Sequence, residues 1–157
     1  LFAALEKDNK EEEEERQEAL EKSEAQRLKD RIERIQETIR ERIGDLSKEQ
    51  KQIVSTYAQQ FISTGDAWIT YRRNIQNAAR KLFVSRKQNE RFEQELVVLM
   101  QNPDNYKSDV YKQSSAHNMT VTATLLAEIF STLSEKQRQT LIENVDELIE
   151  TVDNFMD

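Results

Sequence analysis

Cysteine is absent from the 157 residues, which excludes disulfides, thiol catalysis and thiolate metal sites within this sequence. Histidine occurs once, as His117. A transition-metal site would therefore have to draw most of its ligands from carboxylates, and neither a His-Glu-x-x-His nor a Glu-x-x-His pattern occurs. Beside Asn118 at a helix start, His117 reads as a polar surface residue. Glycine is limited to Gly44 and Gly65, and proline to Pro103. Two isolated glycines cannot build a phosphate-cradling loop, and so few turn formers leave little material for hairpins. No apolar run is long enough to cross a membrane. No nucleophile motif supports serine–histidine chemistry. No catalytic residue, metal ligand or cofactor is nominated.

Charge and helix formers are what the chain has instead. Charged residues make up 34% and hydrophobic residues 36%, and the net charge is −7. The acidic balance argues against nucleic acid as a partner. Abundant Glu, Gln, Lys, Arg, Leu and Ile favour long helices. The expected fold is all-α, a bundle of about five to seven helices with no sheet. Length and apolar content fit one helical domain over residues 1–157, with 1–22 the tail of a longer N-terminal helix. The chain begins at Leu1 and not at methionine, so it is read as a processed or trimmed product in which any targeting segment would have been lost.

One stretch occurs twice. Leu46-Ser47-Lys48-Glu49-Gln50 returns 87 residues later as Leu133-Ser134-Glu135-Lys136-Gln137. Ser47 and Ser134 suit an N-cap, where a hydroxyl accepts from an unpaired helix N–H. Gln50 and Gln137 fall at the third helical position and can reach back to the cap's own N–H, closing a capping box. Leu46 and Leu133 fit apolar contacts that set the entry angle. The likeness continues at Gln52 and Gln139, Val54 and Leu141, and Ile62 and Ile149. An internal duplication and two similar helix starts are both consistent with it.

In chain order, residues 1–21 have helical composition, and Leu1, Phe2 and Leu5 can pack. Five consecutive carboxylates, Glu11 to Glu15, point around a helix and do not converge on one cation, so they read as a solvated face. Ser23-Glu24-Ala25-Gln26 offers a capping box. Leu28, Ile32, Ile35, Ile39 and Ile43 then step like a bundle seam, and Gly44 stops that helix in the left-handed conformation. The helix after Ser47 carries Ile53, Val54, Tyr57, Ala58, Phe61 and Ile62 on one face. Thr64-Gly65-Asp66 interrupts it, and Thr64 or Asp66 caps the next, over about 67–83, with Trp68, Tyr71, Ile75, Ala78, Ala79 and Leu82 inward. Ser85 to Gln88 offers a further capping box, for a helix to Gln101 burying Phe92, Leu96, Leu99 and Met100. Asn102-Pro103 opens the clearest loop, and 104–112 are expected to be irregular or a short helix. A helix over about 115–131 turns Met119, Thr122, Ala123, Leu126, Ile129 and Phe130 inward. The last, over about 135–155, buries Leu141, Val145, Leu148, Ile149, Val152 and Phe155.

Asp66-Ala67-Trp68-Ile69-Thr70-Tyr71-Arg72-Arg73 is the most distinctive cluster. Trp68, Tyr71 and Arg72 are three and four apart and share one side of a helix. Tryptophan and arginine are favoured at binding hot spots, and a guanidinium stacks on indole. Trp68, Tyr71, Arg72 and Arg73 are therefore the candidate binding residues. The competing account makes Trp68 a core anchor and pairs the arginines with an acidic helix near either terminus. Residues 67–91 hold seven basic side chains against Glu90 alone, whereas 128–157 hold eight acidic and two basic. The simplest account lays the last helix against or near the helices of that basic segment, so that complementary faces help set the packing order; the functional account is a basic face for an anionic partner.

Taken together, the charged helix ending at Ile43-Gly44, the two Leu-Ser-x-x-Gln stretches, Asp66-Ala67-Trp68 with Arg72-Arg73, and Leu99 through Pro103 with its tyrosine-containing loop resemble the C-terminal two thirds of a family of bacterial envelope lipoproteins of unknown function. The resemblance covers most of residues 20–157. It implies a helical region on the periplasmic side, anchored in the full-length protein by a lipidated cysteine that this sequence does not contain. It brings no catalytic residues. The Leu-Ser-x-x-Gln pair is also similar to the Leu-Thr-x-x-Gln motifs of small periplasmic stress chaperones of the Spy and CpxP type, with serine for threonine in both copies. The expected function is a non-enzymatic protein-interaction or structural module whose partners are envelope proteins or an anionic envelope surface. A chaperone for unfolded clients is the alternative. A hydrolase using surface carboxylates would require a deep pocket with convergent acids.

Overall fold

In the computed structural model, which describes residues 7, 9–11, 13, 14 and 22–156, the sequence's helical bias is realised along nearly the whole described chain. The elements are α1 (Glu24–Ile43), α2 (Lys48–Ala58), α3 (Gly65–Ser85), α4 (Phe92–Gln101), a 3-10 turn (Pro103–Tyr106), α5 (Asp109–Ser131) and α6 (Glu135–Met156). No strand occurs among the described residues, so the fold is all-α. The described residues between 7 and 14 are helical too, while the candidate packing residues Leu1, Phe2 and Leu5 lie outside the described set. The chain divides into two compact units, one drawn from Leu1–Lys22 and Ile62–His117, the other from Ser23–Phe61 and Asn118–Asp157.

The second unit is built on the predicted seam of α1. Ser23 caps the helix by accepting from the Gln26 N–H at 3.2 Å, so α1 starts afresh there. The full box does not close, because the Gln26 amide donates to Asp30 instead. Ile39 and Ile43 are buried with Leu46, Val54, Leu125 and Ile129, and Ile32, Ile35, Ile53, Tyr57, Leu133 and Leu141 pack against them. Gly44 ends α1 with φ +83° and ψ −164°, and its N–H donates to the Arg40 carbonyl. The positive φ matches the expectation. The ψ places Gly44 outside the left-handed helical well, in a region that only glycine occupies readily.

α2 is shorter than its apolar face suggested. It ends at Ala58, before Phe61 and Ile62, and Ile62 is 46% exposed. The cause is Arg31 on α1, whose Nη1 donates to the carbonyls of Ala58 (2.9 Å) and Phe61 (3.0 Å). A guanidinium at this end takes up carbonyls that the helix leaves unpaired and suits the negative end of its dipole.

In the first unit, α3 begins at Gly65 without a side-chain cap, and neither Thr64 nor Asp66 fills that role. Of its expected inward residues only Leu82 is fully buried; Tyr71, Ile75, Ala78 and Ala79 are half-buried. The helix runs on to Ser85, whose hydroxyl donates back to the carbonyls of Lys81 and Leu82. That use of the hydroxyl removes the predicted Ser85–Gln88 box. The turn before α4 is instead held by Asn89, which accepts from the Arg91 N–H at 2.9 Å. Phe83 and Phe92 meet edge-on at 5.4 Å and tie α3 to α4. Phe92, Leu96 and Leu99 are half-buried, while Met100 is exposed, contrary to expectation.

α5 starts at Asp109, six residues before its expected beginning at Ser115, because the Ser108 hydroxyl accepts from the Tyr111 N–H. Its buried stripe is Val121, Leu125 and Ile129, stepping by four. Met119, Thr122, Ala123, Leu126 and Phe130, expected inward, are exposed. Apolar residues occur all round this helix, so periodicity alone could not select the face. α6 gives the larger correction. Leu141 packs on the core, but Val145, Leu148, Ile149, Val152 and Phe155 are 46–88% exposed.

Candidate functional site

Three arrangements stand out, each within one unit. The first is built by the repeated stretch. Both capping boxes close: Gln50 N–H donates to Ser47 Oγ (3.1 Å) and Ser47 N–H to Gln50 Oε1 (2.9 Å), and Gln137 with Ser134 repeats the pattern at 3.2 and 3.0 Å. The two glutamines then meet. Each Nε2 donates to the other's Oε1 at 3.0 Å. Each also donates to the carbonyl just before the opposite motif, Gln137 to Asp45 at 2.8 Å and Gln50 to Thr132 at 3.3 Å. Every partner is displaced by the same 87 residues, so the clasp is a local pseudo-two-fold. Gln50 is fully buried and Gln137 is 8% exposed. Both amides are satisfied, which is the condition for placing them in an apolar core. Leu46 and Leu133 enter that core beside them. Both amides of the clasp are fully paired, so Gln50 and Gln137 tie the two helix starts to each other.

Nearby, Tyr57 donates to Glu128 Oε1 at 2.5 Å, and this bond to a carboxylate, with burial and the negative charge, raises the phenol above its ordinary range.

The second arrangement holds the nominated binding residues. Trp68 and Tyr71 have ring centroids 5.5 Å apart, and Tyr71 reaches Tyr111 of α5 at 5.7 Å. Lys107 lies 5.6 Å from the Tyr71 centroid and 5.8 Å from that of Tyr111, within cation–π range. Its ammonium is 2.7 Å from Asp104. The bond to Asp104 raises the Lys107 pKa against the opposing effect of burial, and the same bond lowers Asp104. Trp68 remains 44% exposed. Arg73 turns away from the rings and pairs with Glu13, and Arg72 is half-buried. The structure therefore gathers Trp68 and Tyr71 but separates Arg73 from them. Sequence reasoning misses Tyr111, Lys107 and Asp104, because an irregular segment or short helix after Pro103 has no defined face to set against Trp68 and Tyr71; the paired aromatics Tyr106 and Tyr111 flanking Lys107 are the available signal.

The third is the outer face of α6. Leu141, Val145, Leu148, Val152 and Phe155 step by four, three, four and three, the seam of a coiled coil. Ile142 and Ile149 widen it. Beyond Leu141 these residues are exposed.

Two concavities lie among the described residues. One of about 550 Å³ between α3 and α4 is lined by Leu82, Val98, Leu99, Lys81, Arg91 and Glu95, among others, with Glu95 its one carboxylate. The other, of about 280 Å³, includes Glu33, Glu37 and Asp45, with Arg40 contacting Glu37 at 3.3 Å and Asp45 at 3.8 Å. Neither offers unpaired convergent acids. Among the described residues no group of three or more His, Cys, Asp or Glu is placed to hold a metal ion, and no helix is long and apolar enough to cross a membrane. His117 is exposed.

A family of unknown function, DUF6279, matches residues 2–112. The match spans more than half of the chain, and the chain belongs to that family. It ends within α5, so the second Leu-Ser-x-x-Gln and α6 lie beyond it. No curated protein and no solved structure matches the chain.

Proposed function

We propose that this chain acts by binding and not by catalysis, as a helical protein-interaction module on the periplasmic side of the bacterial cell envelope. The observation that carries the reading is the apolar seam of α6. From Val145 to Phe155 it has the spacing that buries against another helix, yet its side chains are exposed to water. Exposed apolar surface of this regularity is a mark of an interaction site. The envelope placement, and a lipid anchor in the full-length protein, rest on the resemblance to envelope lipoproteins.

The Gln50–Gln137 clasp accounts for the Leu-Ser-x-x-Gln pair as fold architecture, so the pair itself lends no weight to a chaperone role. The exposed seam does leave that role as the second reading. Photocrosslinking from position 148 of the full-length protein in its native envelope separates the two. A discrete adduct, absent when the crosslinker is moved to Glu143, supports a dedicated partner. A ladder of adducts, together with suppression of aggregation of an unfolded client at high salt, would replace this reading with the chaperone. No adduct from position 148 would overturn both.

A further inference from the structure

The α6 seam has a chemically distinct rim. From Leu141 to Phe155 it spans about four turns, or about 21 Å, which calls for roughly two heptads of a partner helix. Asp146 and Asp153 sit one step round from Ile142 and Ile149 and edge the seam on one side, with Glu143 and Glu150 behind them. Asn144 and Thr151 edge the other side without charge. No lysine or arginine follows Arg138.

We infer that the α6 seam docks a basic amphipathic helix of a partner protein, with its apolar face on Val145, Leu148, Val152 and Phe155 and its lysines or arginines along the Asp146–Asp153 rim. The inference rests on the interaction reading above and adds the partner's chemistry. Charge complementarity selects this occupant. A second copy of α6 carries only Lys136 and Arg138, both in its first turn, so in parallel register it brings no cation to Asp146 or Asp153, and in either orientation it sets one predominantly acidic helix on another. A bilayer surface is a poor occupant for the same reason. Helices that lie on anionic lipid carry Lys and Arg on the polar face, and this one carries carboxylates.

The test uses the full chain and three synthetic amphipathic helices that share a leucine seam and differ only in lysine, glutamine or glutamate flanks, with binding read by fluorescence anisotropy. The lysine peptide should bind about tenfold tighter than the glutamine peptide, as two exposed ion pairs allow, and the glutamate peptide weakest. Asp146→Lys with Asp153→Lys should reverse that order. Leu148→Asp with Val152→Asp should abolish binding of all three, and both substituted pairs are exposed, so circular dichroism should show the fold kept. If the charge-reversed variant keeps the original order, or if the glutamine peptide binds as well as the lysine one, the basic partner is excluded while the seam survives. If no peptide binds, or if Leu148→Asp with Val152→Asp changes nothing, the seam itself fails as a docking face. A dimer that Leu148→Asp dissolves, or binding to anionic vesicles that it abolishes, would assign the seam to a second copy or to lipid and overturn the inference.

Discussion

The glutamine clasp and the aromatic–lysine cluster belong to different units, and they are built on opposite terms. In the clasp, four amide bonds and two capping boxes close on one another away from water. In the cluster, Trp68, Tyr71, Tyr111 and Lys107 hold one another at a surface that water reaches. A buried polar group must be fully paired, because an unpaired one costs its whole desolvation energy. An exposed group carries no such obligation and stays available to a ligand. The repeated motif is therefore the more conspicuous feature in sequence and the less available one in function.

Breaking the core around the clasp should give the largest effect. Ile129 is fully buried, and Ile129→Ala should cost about 2–5 kcal/mol in urea unfolding. A change below that range would mean that the cluster joining α1, α2 and α5 is less tightly packed than the burial implies.

The clasp itself comes next. Gln137→Ala removes the donor to Asp45, the partner of Gln50 and one arm of a capping box at once. The expected loss is about 1–3 kcal/mol, the penalty of leaving buried polar groups unpaired. In a double-mutant cycle with Gln50→Ala the two changes should couple by about 0.5–3 kcal/mol. Strict additivity would show that the amides do not bond to each other in solution.

Trp68→Ala sharpens the contrast from the other side. A fully buried tryptophan would cost about 3–5 kcal/mol, but at 44% exposure the loss should stay below about 2 kcal/mol. A loss in the buried range would make the indole a core anchor and remove it from the candidate binding surface.

The same contrast explains what could be read in advance. The α1 seam and both Leu-Ser-x-x-Gln caps were legible because caps and stripes are local, fixed by residues three or four apart. That Gln50 and Gln137 bond to each other was not, since nothing within either motif specifies a partner 87 residues away. The end of α2 was hidden for the same reason, being set by Arg31 from another helix. On α6 the periodicity correctly marked an apolar face over Leu141 to Phe155. It could not say that, among the described residues, only the first turns of it are covered, where Asn144 still donates to the Arg42 carbonyl at 2.8 Å. Periodicity reports that a face is apolar, whereas burial depends on what else is within reach. In the candidate site Trp68 and Tyr71 were legible from helical spacing, and Lys107 and Tyr111 were not, because they come from beyond a proline turn.

The smallest expected effect concerns the charge that sits on the aromatic cluster. Asp104 is lowered by its bond to Lys107, and Lys107 is raised by the same bond. A lowered carboxylate contributes stability that is present above its unfolded value of about 3.9 and is lost as pH falls through the lower folded value. A raised ammonium contributes stability that is complete below about 10.4 and is lost as pH rises through the higher folded value. The pair's contribution is thus flat across neutral pH, and it is removed only at the two extremes. The Asp104 carboxyl, followed by NMR, should titrate below the ordinary aspartate range, and Lys107→Met should return it toward that range with almost no change in melting temperature at pH 7. Because the ammonium also rests against the Tyr71 and Tyr111 rings, the same substitution should shift their ring resonances. An Asp104 midpoint that ignores Lys107→Met would show that the ion pair does not persist in solution, and the lysine would then be free to leave the rings.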